Sequence, residues 1–386
     1  MALGDPSYGC SIIRELVDLD DLASRSAAAA DPAFIVQGSS PVFIDEYQHV
    51  PEVLDAIKAE LNTDLRSGRF VLAGSTRHDV LPRAAQALTG RLHRIDVEPL
   101  SQGELAGVTE HLLDDLFNSP ASVVTSQRSM ATRDGYLDRI VRGGFPLALA
   151  RASEGTRGRW FDDYIELTME RDVAELANLR RRAAMPRFIE RLAGQTAQVL
   201  NVSAAAEATG LDWNTGELYL KLLEAVFLVQ RLPAWGTTLK ARATSKPKIH
   251  VIDSGVAARL LRLTPERLAG RDATAMTEFG HLLETFVVGE LRKQASWMDG
   301  VAGLGHWRTS DGDEVDLIIE RDDGALVAVE VKAGSRVAGG DLKGLERLRD
   351  ATGDRFVAGA ALYLGERSYS YSDRIHVLPV DRIWAL

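Results

Sequence analysis

Short apolar runs alternate with helical patterns along the first hundred residues, the signature of a parallel α/β sheet. Apolar runs at Glu15–Leu19, Val42–Asp45, Arg69–Ala73 and Leu92–Val97 predict strands. Between them, Pro51–Leu65 predicts a helix that opens with Pro in its first turn and ends before Ser67-Gly68. Gly74-Ser75-Thr76 follows the third strand, a polar tip at the carboxyl end of a strand, where open α/β sheets bind ligands. From 101 to 195 the pattern turns helical and Arg-rich. Trp160, Tyr164, Leu167 and the Glu170-Arg171-Asp172 cluster fall on one predicted long helix that covers a nucleotide or packs a lid.

Segment 199–231 reads helix, turn, helix: Val202–Ala208, then Gly210 as the turn, then Trp213–Val229. In the second helix Leu218, Leu222, Ala225 and Val226 recur at helical spacing. Leu228–Pro233 and Lys248–Ile252 then predict the strands of a wing. A winged helix that reads DNA and ordinary helix packing are both open, because the second helix offers few donors beyond Asn214 and Lys221. The last third predicts a helix at Ala275–Gln294, strands at 304–309, 314–320 and 325–332, a helix at 340–352, and strands near 356–364 and 374–380.

A length of 386 residues implies two or three domains. The pattern divides them as 1–100, 101–195, 196–255 and 256–386, the middle two being a helical lid region and the winged-helix-like segment. The hydrophobic share of 45% and charged share of 26% suit a soluble globular protein. The single cysteine, Cys10, excludes a disulfide within the chain, no apolar run approaches the roughly 18 residues of a membrane span, and the start has no signal pattern. A cytoplasmic protein with no membrane partner is expected. The net charge of −10, from 45 basic and 55 acidic residues, argues against a nucleic-acid coat protein. A local basic groove stays open: Arg231, Lys240, Arg242, Lys246 and Lys248 lie in an acid-free stretch between Glu224 and Asp253. A solvated basic loop is the alternative.

Two constellations carry chemistry. Val42-Phe-Ile-Asp45-Glu46 is an apolar strand ending in two acids, the arrangement that sets a Mg²⁺-directing carboxylate beside one that polarises water. That chemistry also needs a Gly-rich loop with Lys and Ser/Thr to hold phosphates, and no Gly-Lys dipeptide occurs in the chain. The second constellation is Gly312-Asp-Glu314-Val-Asp316-Leu-Ile-Ile319, the turn Asp322-Asp-Gly324, and Val327-Ala-Val-Glu330-Val-Lys332. A three-residue loop makes paired positions sum to 646, so Asp316 faces Glu330, with Cβ atoms roughly 5 Å apart. Facing carboxylates repel, and a hard divalent cation, Mg²⁺ or Mn²⁺, removes the conflict. Asp316, Glu330 and, from the preceding helix, Glu284 are the metal candidates; Glu330 and Lys332 are the catalytic ones. The alternative is a solvated polar face on which Lys332 balances two acids.

Asp316…Glu330-Val-Lys332 with Glu284 upstream resembles the PD-(D/E)XK restriction-endonuclease-like core. The whole chain from about Glu15 resembles a bacterial and archaeal family that fuses an AAA-type ATPase to a C-terminal domain of unknown function with that nuclease-like fold. The carriers are Pro41–Pro51, Phe70–Ser75, Leu88–Arg91, Arg142–Pro146, Glu170–Asp172, Lys248–Gly255, Leu283–Val287 and Trp307-Arg308. The resemblance implies an α/β fold: an AAA-type parallel sheet, a helical lid, a winged helix and a restriction-endonuclease-like domain. It implies Asp45 as the Mg²⁺-directing acid, Glu46 as the base, and Ser75 and Thr76 as polar sensors. Arg91 is implied as an arginine finger or a salt-bridged surface residue, and DNA or RNA and a second copy of the chain as partners. The family's P-loop strand has no counterpart here, so ATP is expected to bind this chain poorly. Either the natural protein is longer or ATP binding has been lost. A non-enzymatic interaction or regulatory protein is the second reading.

Overall fold

The computed structural model describes residues 15–38, 41–75, 88, 90–173, 181–236, 238, 246–270, 272–309 and 311–385. Two compact units emerge. One comprises Met1–Val97, Leu167–Arg180 and Lys221–Phe227; the other comprises Glu98–Glu166, Arg181–Leu220 and Leu228–Leu386.

The first unit runs β1 (Glu15–Asp18), α1 (Leu22–Ala30), α2 (Pro32–Val36), β2 (Val42–Asp45), α3 (Val53–Thr63) and β3 (Phe70–Leu72). The strands form a parallel sheet in the order β1-β2-β3, as the apolar runs predict. Leu19, Ile35, Val36, Val42, Ile44, Val53, Leu54 and Ile57 form its core, because the alternation along β1 to β3 turns Val17, Ile44 and Leu72 toward the helices. The opposite row, Leu16, Phe43 and Val71, is more open, with Leu16 63% exposed.

Leu92–Val97 corrects the prediction: it forms no strand, and Ile95 and Val97 are exposed. Among the described residues no strand pairs with it, so its backbone groups have no ladder to satisfy them.

The second unit begins with α4 (Gln102–Ala106), α5 (Leu112–Asn118), α6 (Arg133–Arg142), α7 (Pro146–Leu149) and α8 (Glu154–Leu167). A π-helical turn over Thr168–Asp172 follows α8, so the predicted long helix changes its hydrogen-bond period at Thr168, two residues before Glu170. Next come α9 (Met185–Ala193), β4 (Gln198–Val199), α10 (Val202–Glu207), α11 (Trp213–Ala225), β5 (Val229–Leu232) and β6 (Lys248–Val251). Strands β4 and β5 both pair antiparallel with β6. Helices α10 and α11 approach closely at Gly216, where a Cβ would lie 2.8 Å from the Ala206 methyl. Helix α11 stops four residues short of the predicted Val229, and Phe227 takes a left-handed φ of 56° to turn the chain into β5.

The remaining elements are α12 (Ser254–Leu260), α13 (Pro265–Leu268), α14 (Ala273–Trp297), β7 (Val301–Arg308), β8 (Glu314–Arg321), β9 (Leu326–Lys332), α15 (Lys343–Thr352), β10 (Phe356–Tyr363), β11 (Tyr369–Ser372) and β12 (Ile375–Pro379). They build a mixed six-stranded sheet in the order β11-β12-β10-β9-β8-β7. Strands β7, β8 and β9 are antiparallel neighbours, and β10 is parallel to both β9 and β12. Every strand predicted beyond residue 300 is present. Strand β11 was not predicted; it is a short edge strand of alternating Tyr and Ser.

Candidate functional site

At the end of β2, Asp45 and Glu46 stand where the sequence predicts. Glu46 adopts a left-handed conformation (φ 51°, ψ 42°), which costs a non-glycine residue about 1–3 kcal/mol and clusters at functional sites. Its amide donates to Asp45 Oδ1 at 3.1 Å. Gln48 Nε2 donates to the Glu46 carboxylate and, at 3.4 Å, to Ser75 Oγ, so Glu46, Gln48 and Ser75 form one polar line at the strand ends. Thr76 lies outside the described residues. Arg91 is not part of this line: its guanidinium donates to Asn62 Oδ1 at 2.8 Å. Asn62 sits in the last turn of α3, roughly 14 Å along the axis from the first-turn Val53.

The C-terminal acids form a denser constellation. Paired positions Leu317↔Val329, Ile318↔Ala328, Ile319↔Val327 and Glu320↔Leu326 all sum to 646, the predicted register. The ladder then ends, and the Val331 amide donates instead to Asp316 Oδ2 at 2.9 Å. On the other side of β8, Gly305 pairs with Ile318 and Trp307 with Val315, so Asp316 and Leu317 together oppose His306 alone. This bulge puts Val315 and Ile318, three residues apart, into one apolar cluster with α15. It re-aims Asp316 out of strict alternation, which no spacing rule revealed.

The residue that sequence reasoning missed is Lys248. It belongs to the acid-free stretch predicted to be a solvated loop or groove, yet it is 1% exposed. Its ammonium lies 2.7 Å from Glu284 Oε1, 2.6 Å from Glu314 Oε1 and 2.9 Å from Asp316 Oδ1, one contact for each of its three protons. Glu314 was missed as well, although Glu314 and Asp316 are two apart in the quoted motif. Of the other basic residues in that stretch, Arg231 pairs with Glu217 and Lys246 is exposed, while Lys240 and Arg242 lie outside the described residues. Beside this tripod, Lys332 Nζ meets Glu330 Oε1 at 2.7 Å, and Glu330 Oε2 is buried with no hydrogen-bond partner among the described residues.

Four carboxylates (Glu284, Glu314, Asp316, Glu330) against two ammoniums (Lys248, Lys332) leave a charge of −2 (2 − 4) when all are ionised. Burial, with this surplus behind it, governs protonation. Burial, then repulsion from Asp316, pushes Glu330 up to about 8, with Lys332 opposing. Burial and Asp316 likewise hold Glu284 well above the usual carboxylate range, against the pull of Lys248. Burial alone would lower Lys248, but Asp316, Glu284 and Glu314 raise it above an ordinary lysine. The cluster therefore keeps its ammonium and takes up protons on its acids. Among the described residues, no group of three or more His, Cys, Asp or Glu side chains is arranged to hold a metal ion.

The segments around Gly143-Gly144 and Asp253-Ser-Gly255 meet in one joint. Asp253 accepts from the amides of Gly144 (2.7 Å), Gly255 (2.9 Å) and Val256 (3.0 Å), capping α12 while gripping the turn after α6. A Cβ on Gly143 would meet Asp253 Oδ1 at 2.2 Å, and one on Gly144 would meet the Leu100 carbonyl at 2.3 Å. Gly143-Gly144 and Asp253-Ser-Gly255 thus serve packing.

Residues 14–106 match the family model of an AAA domain; 133–267 match that of a domain of unknown function (DUF8612), and 279–383 that of another (DUF4143). The chain thus carries an AAA-type segment joined to two domains of unknown function. It is 27% identical over 358 residues to uncharacterized proteins of Mycobacterium tuberculosis (Rv2008c) and Mycobacterium bovis (Mb2031c), an overlap covering 92% of this chain and 72% of each relative. A crystal structure, that of protein VC1899 from Vibrio cholerae, aligns over 96% of this chain and 95% of its own at 11% identity. Its TM-score of 0.22 is too low to carry a fold argument. No helix among the described residues is long and apolar enough to cross a membrane.

Proposed function

We propose that the chain is an ATPase-like AAA protein whose C-terminal part is a metal-dependent, nuclease-like domain directed at nucleic acid, with a winged-helix segment before it. The observation that carries this reading is the end of the β8–β9 ladder, where Asp316 accepts from the Val331 amide and Lys332 lies on the Glu330 carboxylate. The element order α9, β4, α10, α11, β5, β6, with β6 central, supports the winged helix. The left-handed Glu46 and its line to Ser75 support an ATPase-like strand end.

The donor set suits a divalent ion. Mg²⁺ is typically held by one or two carboxylates plus water. Asp316 and Glu330 supply them, with Glu284 as a further anchor, and Glu330 Oε2 is a buried oxygen in want of a partner. A bound Mg²⁺ or Mn²⁺ would neutralise phosphate charge and activate a water. Lys332, held by Glu330 and partly exposed, would offer its ammonium to charge developing on a phosphate there.

The test is phosphodiester cleavage of single- and double-stranded DNA and RNA in Mn²⁺ by the wild type and by Lys248→Met. We expect cleavage that Glu330→Ala and Lys332→Ala each reduce by about 10²-fold or more. Failure of both proteins on every substrate would contradict the reading. One observation favours the non-enzymatic alternative: Trp213 and Leu218 are exposed on α11 beside Asn214 and Lys221, a face more apolar than a helix that reads DNA usually presents.

A further inference from the structure

Lys248 approaches the carboxylates from a different part of the fold. Helix α14 supplies Glu284, and β8 supplies Glu314 and Asp316. Lys248 opens β6, the middle strand of the small sheet that joins the helix-turn-helix segment. Its side chain crosses to the C-terminal domain and saturates itself on three acids at 2.6–2.9 Å. Both Asp316 oxygens are then engaged, one by Lys248 and one by the Val331 amide. A cation cannot take Asp316 Oδ1 while the ammonium holds it.

The same segment is clamped nearby. Just after β5, the Trp235 amide donates to the His306 carbonyl at 2.6 Å and the His306 amide to the Pro233 carbonyl at 2.9 Å. His306 is the residue that faces the Asp316-Leu317 bulge. Trp235 Nε1 also donates to Glu320 at 2.9 Å, further along β8. The chain leaving β5 is thus tied to β7 and β8 near the acid cluster.

We infer that Lys248 is a built-in counter-cation that closes the carboxylate site, and that a divalent ion enters only when this ammonium leaves. The inference rests on the nuclease-like reading of Asp316 and Glu330. Three contacts make Lys248 a competitor rather than a neighbour. It supplies part of the positive charge that a divalent ion would otherwise bring, so the cluster folds without metal. Because Lys248 opens the second strand after the helix-turn-helix, a ligand that shifts that segment reaches the acid site through this side chain. Lys248 touches no substrate; it is a gating residue.

The test is Mn²⁺ binding followed by electron paramagnetic resonance, on the full chain, for wild type, Lys248→Met, Glu314→Gln, Glu330→Ala and Lys248→Met/Asp316→Asn. A competitor in the closed state lowers apparent affinity by the fraction of molecules that are open. We expect Lys248→Met to bind Mn²⁺ at least about tenfold more tightly than wild type, the gain vanishing in the double variant. Glu314→Gln loosens the lysine without touching Asp316 or Glu330. It should tighten binding to a smaller degree, and it reads the same property should Lys248→Met fail to fold. Equal affinity of wild type and both single variants, lost in Glu330→Ala, would overturn the gate and leave the nuclease-like reading standing. No binding by any variant, all shown folded by circular dichroism, would overturn both.

Discussion

Single side chains explain where this chain departs from ordinary packing. Glu110 accepts from the Gly103 amide at 2.6 Å through Oε1, while Oε2 is buried with no partner among the described residues. Burial, then the neighbouring Glu290, pushes Glu110 up to about 7 from an ordinary 4.5. The folded protein therefore binds this proton more tightly than the unfolded chain does. The resulting stability is present below pH 4.5 and is lost as pH rises through about 7. Glu110→Gln keeps the acceptor for Gly103 and cannot ionise. Its melting temperature should exceed that of wild type at pH 8 and approach it at pH 5. Parallel melting curves for the two proteins across that range would contradict this. Residue by residue, the sequence was legible where spacing fixes a position, as in ending a strand at Asp45 and putting Glu330 and Lys332 side by side. It was silent on Lys248, because a lysine opening a strand amid other basic residues looks solvated until its three acids are seen. It was silent too on the left-handed Glu46, whose conformation leaves no trace in composition.

At the scale of elements, the joint at Asp253 gives the sharpest mechanical statement. One buried carboxylate satisfies three amides from two segments, the first turn of α12 and the glycine turn after α6. Asp253→Ala removes a helix cap and strands a buried donor, so it should cost about 3 kcal/mol. Asp253→Asn keeps an acceptor oxygen and should cost clearly less. Urea unfolding of the two variants checks this, and a loss below about 1 kcal/mol for Asp253→Ala would contradict the joint. Most elements were visible in the hydrophobic pattern. The strands after residue 300 alternate cleanly or are continuously apolar, and the Asp322-Asp-Gly324 turn fixed their register to the residue. The misses have local causes. Leu92–Val97 has strand composition, but pairing rather than propensity makes a strand. The bulge at Asp316 arises from how β7 meets β8, information held in neither strand alone.

At the scale of the whole molecule, the two ends of the chain present their chemistry differently. The AAA-type end keeps Asp45, Glu46 and Ser75 in line, while Arg91 reaches Asn62 and no phosphate-cradling Gly-Lys is present in the sequence. Beyond residue 247 the chain gathers four acids and two lysines into a largely buried group, with Glu314 and Lys332 partly exposed. The fold class was legible from the alternation of strands and helices. That the acid cluster carries its own cation was not, because Lys248 and Asp316 are brought together by tertiary packing across 68 positions. The central claim is that Lys248 and a divalent ion exclude one another at Asp316. Crystals of wild type and Lys248→Met grown in Mn²⁺, with anomalous diffraction at the manganese edge, test it most directly. We predict no manganese peak between Asp316 and Glu330 in wild type, with Lys248 still on Glu284, Glu314 and Asp316, and a peak there in Lys248→Met. A manganese peak in wild type with all three lysine contacts intact would contradict it.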